Sequence, residues 1–205
     1  MSNVAAIVMA AGSSTRMGSP KPLLDWGGRT LVEYQVTEMR AAGIERVIVV
    51  LGSHADEIRP LIEKSGADPL VNEDYKNGRA SSLRLAANAL PDDTRTILVL
   101  NVDQPRPHTV TEALLRAHEA GGNLITVPSF SGRRGHPVAL AGWLLPDLRQ
   151  VQQVTKGLQG LLRKYDSDVA ETPIASEVVL LDINTPEEYE AAIKTHLRAE
   201  APISP

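Results

Sequence analysis

The sequence predicts an α/β fold in which three α/β/α layers are built around a mostly parallel sheet. Short apolar runs alternate with amphipathic stretches along most of the chain. The runs "VAAIVM", "RVIVVLG" and "TILVLNV" are apolar on both faces apart from residues near their ends. This pattern is typical of strands buried in a parallel sheet. Helical stretches separate these runs, so we expect helices on both faces of the sheet.

The first half of the chain alternates strand and helix. After the first strand, "TLVEYQVTEMRAAG" predicts a helix with Thr30 as its N-cap and Gly43 at its end. The strand "RVIVVLG" precedes a helix that Ser53 would cap, and Pro60 would kink or split that helix. A short strand "DPLVN", a helix over 81–90, the strand "TILVLNV" and the helix "TVTEALLRAHEAGG" then follow.

The last third of the chain is less regular. The segment "LITVPSFSGRRGHPVAL" predicts two strands joined by a basic turn, and short helical pieces come after it. The segment "EVVLLDI" predicts a strand, and the final helix has Pro186 at its first position. The chain shows no internal repeat or low-complexity linker, so we expect a single domain over residues 1–198 and a frayed tail over 199–205.

Composition narrows the class of protein. A chain of 205 residues with 42% hydrophobic residues can bury a full core. The net charge of −4 argues against broad binding to nucleic acid, so local cations must meet any anion. Cysteine is absent, which excludes disulfides and thiolate metal sites and favours a cytoplasmic location. The first residues lack the pattern of a signal peptide or a membrane span, so we expect a soluble protein with no membrane partner.

The loop "AAGSSTRMGSPK" follows the first strand directly. Open parallel sheets bind ligands at the carboxyl ends of their strands. Small residues let the main chain approach a ligand, and successive N–H groups form a nest for anions, to which Arg16 and Lys21 add charge. We therefore interpret the loop as a phosphate cradle, with an ordinary surface turn as the alternative. It matches neither the Walker A loop nor G-x-G-x-x-G, which disfavours a dinucleotide-dependent oxidoreductase.

Three acidic or amide side chains are candidates for binding a metal ion. Asp103 follows a buried strand, where magnesium would find a hard carboxylate ligand, although an Asp-Gln-Pro turn is also common as plain turn chemistry. Asp182 and Asn184 lie two residues apart and share a face if the segment is extended. The alternative for Asn184 is that it caps the last helix together with Thr185.

A basic turn holds one further candidate. His136 lies between Gly135 and Pro137 and follows two arginines, where it could grip an anionic substrate. The alternative is a histidine at the start of a strand beside solvated arginines. No second histidine has the spacing of a metal-ligand pair, so a zinc site is not favoured.

The loop resembles the signature A-A-G-x-S-x-R-M-G-x-x-K of MobA-like nucleotidyltransferases, and most of all that of the molybdenum cofactor cytidylyltransferases. The resemblance implies a Rossmann-like fold of the nucleotide-diphospho-sugar transferase type. It also implies that Arg16 and Lys21 neutralise a triphosphate. The related guanylyltransferases read A-G-G where this chain reads A-A-G, which favours cytosine as the base. The nucleotide-binding residues implied in the loop are Ala10, Ala11, Gly12, Ser13, Ser14, Arg16 and Lys21.

Other segments extend the resemblance over nearly the whole chain. "NEDYKNGRASSLRLAA" is similar to the stretch that lies near the base and ribose, and "NVDQP" is similar to the D-x-P whose aspartate holds magnesium. "GRRGHPVAL" resembles a turn near the pterin, "VTKGLQGLL" the helix after it, and "LDINTPEEY" a motif in which this chain has Asn where the cytidylyltransferases have Asp. The residues so implied are Gly78, Ser81 and Ser82 for the nucleotide, Gly135 and His136 for the substrate, and Asp103, Asp182 and Asn184 for the metal.

The resemblance implies the transfer of CMP from CTP to the terminal phosphate of molybdopterin, with Arg16, Lys21 and Asp103 as catalytic residues. The implied cofactor is Mg²⁺, with Mn²⁺ as an alternative. A molybdoenzyme of the xanthine dehydrogenase type is the implied protein partner. Two alternatives stay open: a related transferase that uses GTP or another phosphorylated acceptor, and a carrier that binds nucleotide or cofactor without turnover.

Overall fold

The structure, a computed structural model, describes residues 3–197, and the predicted tail over 199–205 lies outside them. Eight strands of the described chain form one mixed sheet. The strands are β1 (Val4–Ala10), β2 (Arg46–Leu51), β3 (Asp68–Val71), β4 (Thr96–Asn101), β5 (Ile125–Phe130), β6 (Arg133–Arg134), β7 (Val138–Ala141) and β8 (Val169–Pro173).

Helices cover both faces of the sheet. They are α1 (Leu31–Ala41), α2 (Ala55–Lys64), α3 (Arg79–Ala89), α4 (His108–Gly121), α5 (Leu145–Leu148), α6 (Leu158–Lys164) and α7 (Pro186–Ala192). Helices α1, α2, α4 and α7 pack on one face, and α3, α5 and α6 pack on the other. The predicted three-layer α/β/α arrangement is therefore confirmed. Between residues 3 and 197 no helix has the length and apolar content to cross a lipid bilayer.

The strand order is β3-β2-β1-β4-β7-β5-β6, and β8 pairs with β5. Strands β1 to β4 are parallel, and β1 is central, with Ile7 opposite both Ile48 and Val99. Such residues are fully buried because helices lie above and below them. Strand β7 is inserted antiparallel between β4 and β5. It therefore begins at the edge of the sheet where β4 ends.

Local sequence predicted the N-terminal cap of α1 but not that of α2. At α1 the Glu33 N–H donates to Thr30 Oγ1, the Thr30 N–H donates to the Glu33 carboxylate, and the contact with Thr30 lowers the pKa of Glu33. The predicted cap at Ser53 is wrong. Helix α2 follows His54, whose φ is 62°, and the Ser53 hydroxyl instead donates to the carbonyl oxygen of Gly12 (3.0 Å).

Pro60 does not split the second helix, because α2 is continuous across it. Proline at this position removes the N–H that would bind the carbonyl of Asp56. Both residues are exposed, so water can satisfy that carbonyl. The predicted split of the helix is therefore absent, because water can take the place of the missing N–H donor.

The segment "EVVLLDI" is not a strand. Residues Glu177–Leu180 form a 3₁₀ helix, and the strand beside β5 is β8, which the sequence did not predict. Val178 and Val179 bury against Val110 under the β5–β6 hairpin. The Val179 carbonyl oxygen accepts from the His136 N–H and from a buried arginine, so side-chain and turn contacts replace a strand ladder.

That arginine is Arg106, whose side chain is fully buried. Its Nε donates to the carbonyl oxygen of His136 (2.9 Å), and its Nη2 donates to those of Val179 (2.9 Å) and Leu181 (2.8 Å). Nη1 donates to the carbonyl of Pro105. Burial lowers its pKa to about 9, so the guanidinium is charged at neutral pH. One side chain thus joins the turns after β4, before β7 and before α7.

We predict that Arg106→Met lowers the free energy of unfolding by about 3 kcal/mol or more, because several buried carbonyl groups lose their donor. Urea unfolding followed by circular dichroism measures the change. Arg84→Met is the matched control: half-buried Arg84 donates to the single carbonyl of Val151 (2.9 Å). Its loss should stay below about 1 kcal/mol. Equal losses in the two variants would contradict the assignment.

Candidate functional site

A cavity of about 540 Å³ opens at the carboxyl edge of the sheet. It lies where the loop after β1, the turn after β4 and the start of α3 meet. A volume of this size accommodates a nucleotide-sized ligand. The residues that line it are Met9, Ala10, Ala11, Gly12, Ser13, Ser14, Thr15, Arg16, Lys21, Pro22, Tyr75, Lys76, Gly78, Arg79, Ser82, Asn101, Val102, Asp103 and Asn184.

The loop after β1 is folded by its own contacts. The Lys21 N–H donates to Ser14 Oγ (3.0 Å), and the Met17 N–H donates to the Ser14 carbonyl (2.9 Å). Ser14 has a φ of 52°, and the buried Met17 anchors the middle of the loop. Gly52, directly after β2, lies against it, because a Cβ on Gly52 would stand 2.6 Å from the Ala11 carbonyl oxygen. The loop is therefore pressed against the sheet edge and faces the cavity.

Lys21 joins the loop to two other segments. Its Nζ lies 2.6 Å from Asp103 Oδ2 and 2.9 Å from Asn184 Oδ1. The side chains of Lys21 and Asp103 are 12% and 7% exposed, so the ion pair is shielded from water. Three residues that are distant in sequence thus meet at one point of the cavity wall.

Helix α1 supports the turn that carries Asp103. Gln35, fully buried on that helix, donates from Nε2 to the carbonyl oxygen of Gln104 (2.6 Å). On the other side, the Ile183 N–H donates to the Asp103 carbonyl (2.9 Å), which brings the segment with Asp182 and Asn184 alongside. The position of the Asp103 carboxylate is therefore set by main-chain contacts on two sides.

The oxygens near Asp103 fit a hard divalent cation. Asp103 Oδ1 is buried and has no hydrogen-bond partner, which is costly for a carboxylate unless a cation meets it. Partial burial and the charge of Asp103 raise the pKa of Asp182, while Asn184 and Lys21 act in the opposite direction. Among residues 3–197 no three His, Cys, Asp or Glu side chains form a metal-binding group. Asp103, Asp182 and Asn184 could supply a few oxygen ligands to such a cation, which commonly takes further oxygens from phosphate and water.

Positive charge concentrates around the cavity although the protein is acidic overall. Arg16, Lys21, Lys76 and Arg79 all line it, against the single carboxylate of Asp103. Arg16, Lys76 and Arg79 are exposed. A polyanion entering the cavity therefore meets cations on several sides.

The start of α3 is shaped by a side-chain network. Buried Asn72 donates from Nδ2 to Ser81 Oγ (2.9 Å) and to Ser82 Oγ (2.8 Å). Ser82 lines the cavity, whereas Ser81 donates to the Gly78 carbonyl and so holds the turn. Gly78 has a φ of 98°, and a Cβ there would stand 2.4 Å from Gln153. Glycine is thus favoured by its backbone conformation, whereas the exposed side chain of Gln153 could move away from an added Cβ.

His136 and Gly135 lie beside the cavity but do not line it. Gly135 is buried, and a Cβ there would stand 2.1 Å from the Val179 carbonyl oxygen. His136 is half-buried, its Nδ1 lies 3.2 Å from Gln104 Nε2, and the peptide bond to Pro137 is cis. The substrate contacts predicted for both residues remain predictions.

Most residues predicted for the site from the sequence come together in the structure. The loop residues, Gly78, Ser82, Asp103 and Asn184 line the cavity, whereas Ser81 lies behind it and Asp182 lines a neighbouring depression. The sequence did not predict Tyr75, Lys76, Arg79 and Asn101 as lining residues, nor Asn72, Gln35, Gln104 and Arg106 as supports. Arg79, next to the predicted Gly78, was the one with a local signal: a cation at the start of a helix at the sheet edge.

A mostly parallel sheet with a cation-rich loop and an unpaired aspartate oxygen at its carboxyl edge defines a nucleotide-binding α/β enzyme. Comparison with known proteins narrows this class. The chain belongs to the family described as the MobA-like NTP transferase domain, whose model matches residues 6–169. It is therefore a nucleotidyltransferase of that family, and the predicted resemblance to this family is confirmed.

Among characterised relatives, the chain is similar to nicotine blue oxidoreductase of Paenarthrobacter nicotinovorans, at 33% identity over 78% of this chain and 82% of that protein. It is also 33% identical to the bifunctional protein GlmU of Corynebacterium aurimucosum over 64% of this chain, which corresponds to 28% of GlmU. The chain thus spans less than a third of the length of that second relative.

Solved structures show the same fold. The homologue of Rv0371c from Mycobacterium sp. strain JC1 has a TM-score of 0.81 and 27% identity, covering 97% of this chain and 98% of the other. Rv0371c of Mycobacterium tuberculosis in complex with manganese has a TM-score of 0.77 and 25% identity, covering 95% and 100%. The manganese complex is consistent with the use of a divalent metal in this fold.

We predict that Asp103→Asn weakens the binding of Mn²⁺ at least about tenfold, because it removes the charge of the buried carboxylate. Electron paramagnetic resonance of free Mn²⁺ measures the binding. Asp92→Asn is the control, since the carboxylate of Asp92 is 88% exposed in its pair with Arg149 and does not line this cavity. An affinity that is the same in both variants would remove Asp103 from the metal site.

We predict that Lys21→Met has opposite effects on metal and nucleotide. Mn²⁺ should bind more tightly in the absence of nucleotide, because the ammonium no longer occupies the oxygens of Asp103 and Asn184, and CTP should bind more weakly. Lys76→Met is the matched control, because Lys76 lines the cavity and makes no ion pair with Asp103 in the described chain. Unchanged Mn²⁺ binding in Lys21→Met would show that the ammonium does not compete with the cation.

Proposed function

We propose that the protein transfers CMP from CTP to the terminal phosphate of molybdopterin carrying molybdenum, with release of pyrophosphate. The observation that carries this proposal is the meeting of the β1 loop, Lys21 and Asp103 in one nucleotide-sized cavity. The identity of the base rests on the A-A-G sequence of Ala10 to Gly12, which resembles that of the cytidylyltransferases. The identity of the acceptor rests on the G-H-P turn.

The proposed roles follow the three walls of the cavity. Backbone N–H groups of the loop from Ala10 to Ser14, with Arg16 and Lys21, bind the triphosphate. The start of α3, with Gly78, Ser81 and Ser82, lies on the side of the base and ribose. The turn with Gly135 and His136 faces the acceptor.

The proposed reaction needs alignment and charge neutralisation more than proton transfer. A phosphate monoester has a second pKa near ~6, so the acceptor is already a nucleophile at neutral pH. One of its oxygens forms a bond to the α-phosphorus of CTP, the bond to the bridging oxygen breaks, and pyrophosphate leaves with the electron pair. Arg16 and Lys21 neutralise the charge that develops on the leaving group. This agrees with a cavity whose titratable lining is mainly cationic.

We propose Mg²⁺ as the metal, with Mn²⁺ as a substitute. Asp103 would hold it through its unpaired Oδ1, with Asp182 or Asn184 as the second ligand, since Asn184 Oδ1 shares the Lys21 ammonium with Asp103 and the charge of Asp103 acts on Asp182. When bound, such an ion neutralises phosphate oxygens and orients the triphosphate. Lys21 must then leave the Asp103 carboxylate for the phosphates, which its flexible side chain allows.

Three further expectations remain proposals. Residues 1–198 would act as one nucleotidyltransferase unit, as suggested by the continuity of the sheet from β1 to β8 and the packing of α7 on it. A molybdoenzyme of the xanthine dehydrogenase type would receive the product. The cytoplasmic location rests on the absence of cysteine.

A second candidate function is a reduction by a nicotinamide cofactor. The observation that favours it is the 33% identity to a relative named as an oxidoreductase. The loop after β1 lacks the G-x-G-x-x-G pattern that closes on a dinucleotide pyrophosphate, which favours nucleotidyl transfer instead. Both reactions would use the same cavity, so a single set of assays can separate them.

We predict pyrophosphate release with CTP, Mg²⁺ and molybdenum cofactor, and none when the cofactor is left out. The assay is run with each nucleoside triphosphate in turn, and with NADH and NADPH oxidation monitored in parallel. Lys21→Met and Asp103→Asn should each lose at least about a hundredfold in rate, because both groups face developing charge. Asp92→Asn is the control that should retain the rate.

The outcomes separate the candidate functions. Release with GTP instead of CTP would keep the transfer reaction and overturn the choice of base. Binding of CTP without any release would indicate a carrier or a different acceptor. Oxidation of NADH or NADPH without pyrophosphate release would favour the second candidate function.

A further inference from the structure

The buried side-chain amide of Gln104 is paired with His136, a histidine near Asp103. Gln104 is 3% exposed, and its Nε2 lies 3.2 Å from Nδ1 of His136. Gln104 is the next residue after Asp103, and His136 lies two residues before β7, the antiparallel strand beside β4. The pair therefore connects the turn that carries the proposed metal ligand to the turn that faces the proposed acceptor.

The hydrogen bonds of Gln104 fix which atom of its amide faces the ring. Gln104 Oε1 accepts from the main-chain N–H of Asn101 (3.0 Å). A main-chain N–H can only donate, so the atom that it meets must be the amide oxygen. The amide nitrogen is thereby directed at His136, and an amide –NH₂ group can only donate. Nδ1 of His136 must therefore carry a lone pair, which places the ring proton on Nε2.

The surroundings of the ring favour the neutral form. Burial and the positive charges of Arg106 and Arg79 lower the pKa of His136 to about 4, and only the charge of Asp103 acts in the opposite direction. A protonated Nδ1 would also place two donors face to face against Gln104. Geometry and charge thus agree on a neutral imidazole with one N–H group.

Hydrogen bonds to the main chain of His136 hold the residue in place, and the Nε2–H group of its ring is free to donate. The His136 N–H donates to the Val179 carbonyl (3.0 Å), and the His136 carbonyl accepts from Arg106 Nε (2.9 Å). Gln35 holds Gln104 in place by donating to the main-chain carbonyl oxygen of Gln104. Within residues 3–197, Nε2 of the half-buried His136 has no hydrogen-bond partner. The arrangement therefore presents a single N–H donor in a fixed orientation.

We propose that Gln104 is a positioning residue that holds His136 with its proton on Nε2, so that this N–H group donates to an oxygen of the acceptor phosphate. The inference rests on the proposed function for the identity of the acceptor. A neutral donor binds a phosphate oxygen without adding a cation near Arg106 and Arg79. It also cannot take a proton from the acceptor, because Nδ1 is engaged and Nε2 is already protonated. His136 thus orients the nucleophile and is not a general base.

The position of the proton is tested directly by long-range ¹H–¹⁵N spectra of the full chain labelled with ¹⁵N-histidine at neutral pH. His136→Gln identifies the signals. We expect Nδ1 of His136 to resonate as an unprotonated nitrogen and Nε2 as a protonated one. In Gln104→Glu the new carboxylate only accepts, so Nδ1 should become protonated. A proton on Nδ1 in the unaltered protein, or an unprotonated Nδ1 in Gln104→Glu, would overturn the assignment.

Gln35→Met is the matched control for a merely structural effect. It removes the support of the same turn from α1 but leaves Gln104 beside His136. We expect it to keep the proton on Nε2, whereas Gln104→Met should give both tautomers. Gln104→Met should raise the KM for molybdenum cofactor about tenfold and change the KM for CTP by less than about twofold. Equal changes in the two KM values would assign Gln104 a structural role only.

The contact with the acceptor has its own readout. The Nε2–H resonance of His136 is followed while molybdenum cofactor is added in the presence of a CTP analogue that cannot be hydrolysed. A shift of this resonance supports the contact, and no shift in a protein that releases pyrophosphate overturns it. If no nucleotide gives release, the proposed function fails and the acceptor role with it. The spectra of the unaltered protein and of Gln104→Glu still decide the tautomer in that case.

Discussion

The buried guanidinium of Arg106 constrains the turns after β4, before β7 and before α7, which meet beside the cavity. It donates to main-chain carbonyl oxygens of the turn before β7 and of the segment before α7, 30 and 75 residues away in sequence. A charged group without water requires such donors and acceptors to be matched closely. The three turns cannot shift independently, because moving any one of them leaves a buried polar group unsatisfied. Asp103, His136 and Asp182 are therefore kept in register by a side chain that does not line the cavity.

The nucleotide side depends on a different balance, that of local charge. An acidic protein places four cations around one cavity, and the cation that reaches deepest, Lys21, is paired with the only lining carboxylate. A shielded pair of this kind keeps both groups ordered at a moderate desolvation cost. Under the proposed function, a divalent cation and the ammonium would compete for the same oxygens. A triphosphate would relieve that competition, because it offers the ammonium another set of oxygens.

Local sequence predicted the elements whose stabilisation is local. The buried strands β1, β2 and β4 and the capping box of α1 follow from apolar runs and from Thr30 with Glu33. The β1 loop was also predictable as part of a site, because its small residues and its two cations lie close together in the sequence. The segment Glu177–Leu180 was not, because its conformation depends on Arg106 and on the turn before β7. Gln35 and Gln104 were also missed: the contact between them joins residues 69 positions apart, which no local pattern encodes.

The antiparallel insertion of β7 gives the two halves of the site separate origins in the chain. The proposed nucleotide half comes from segments that follow parallel strands, whereas the proposed acceptor half comes from the hairpin and turn that precede β7. A hairpin can change in length and sequence at its exposed tip without altering the register of the strands that carry the phosphate loop. Under the proposed function, the acceptor could therefore change in evolution while the nucleotide-binding segments stay the same. The exposed residues 131–134 are the part of this hairpin where such changes would disturb the phosphate loop least.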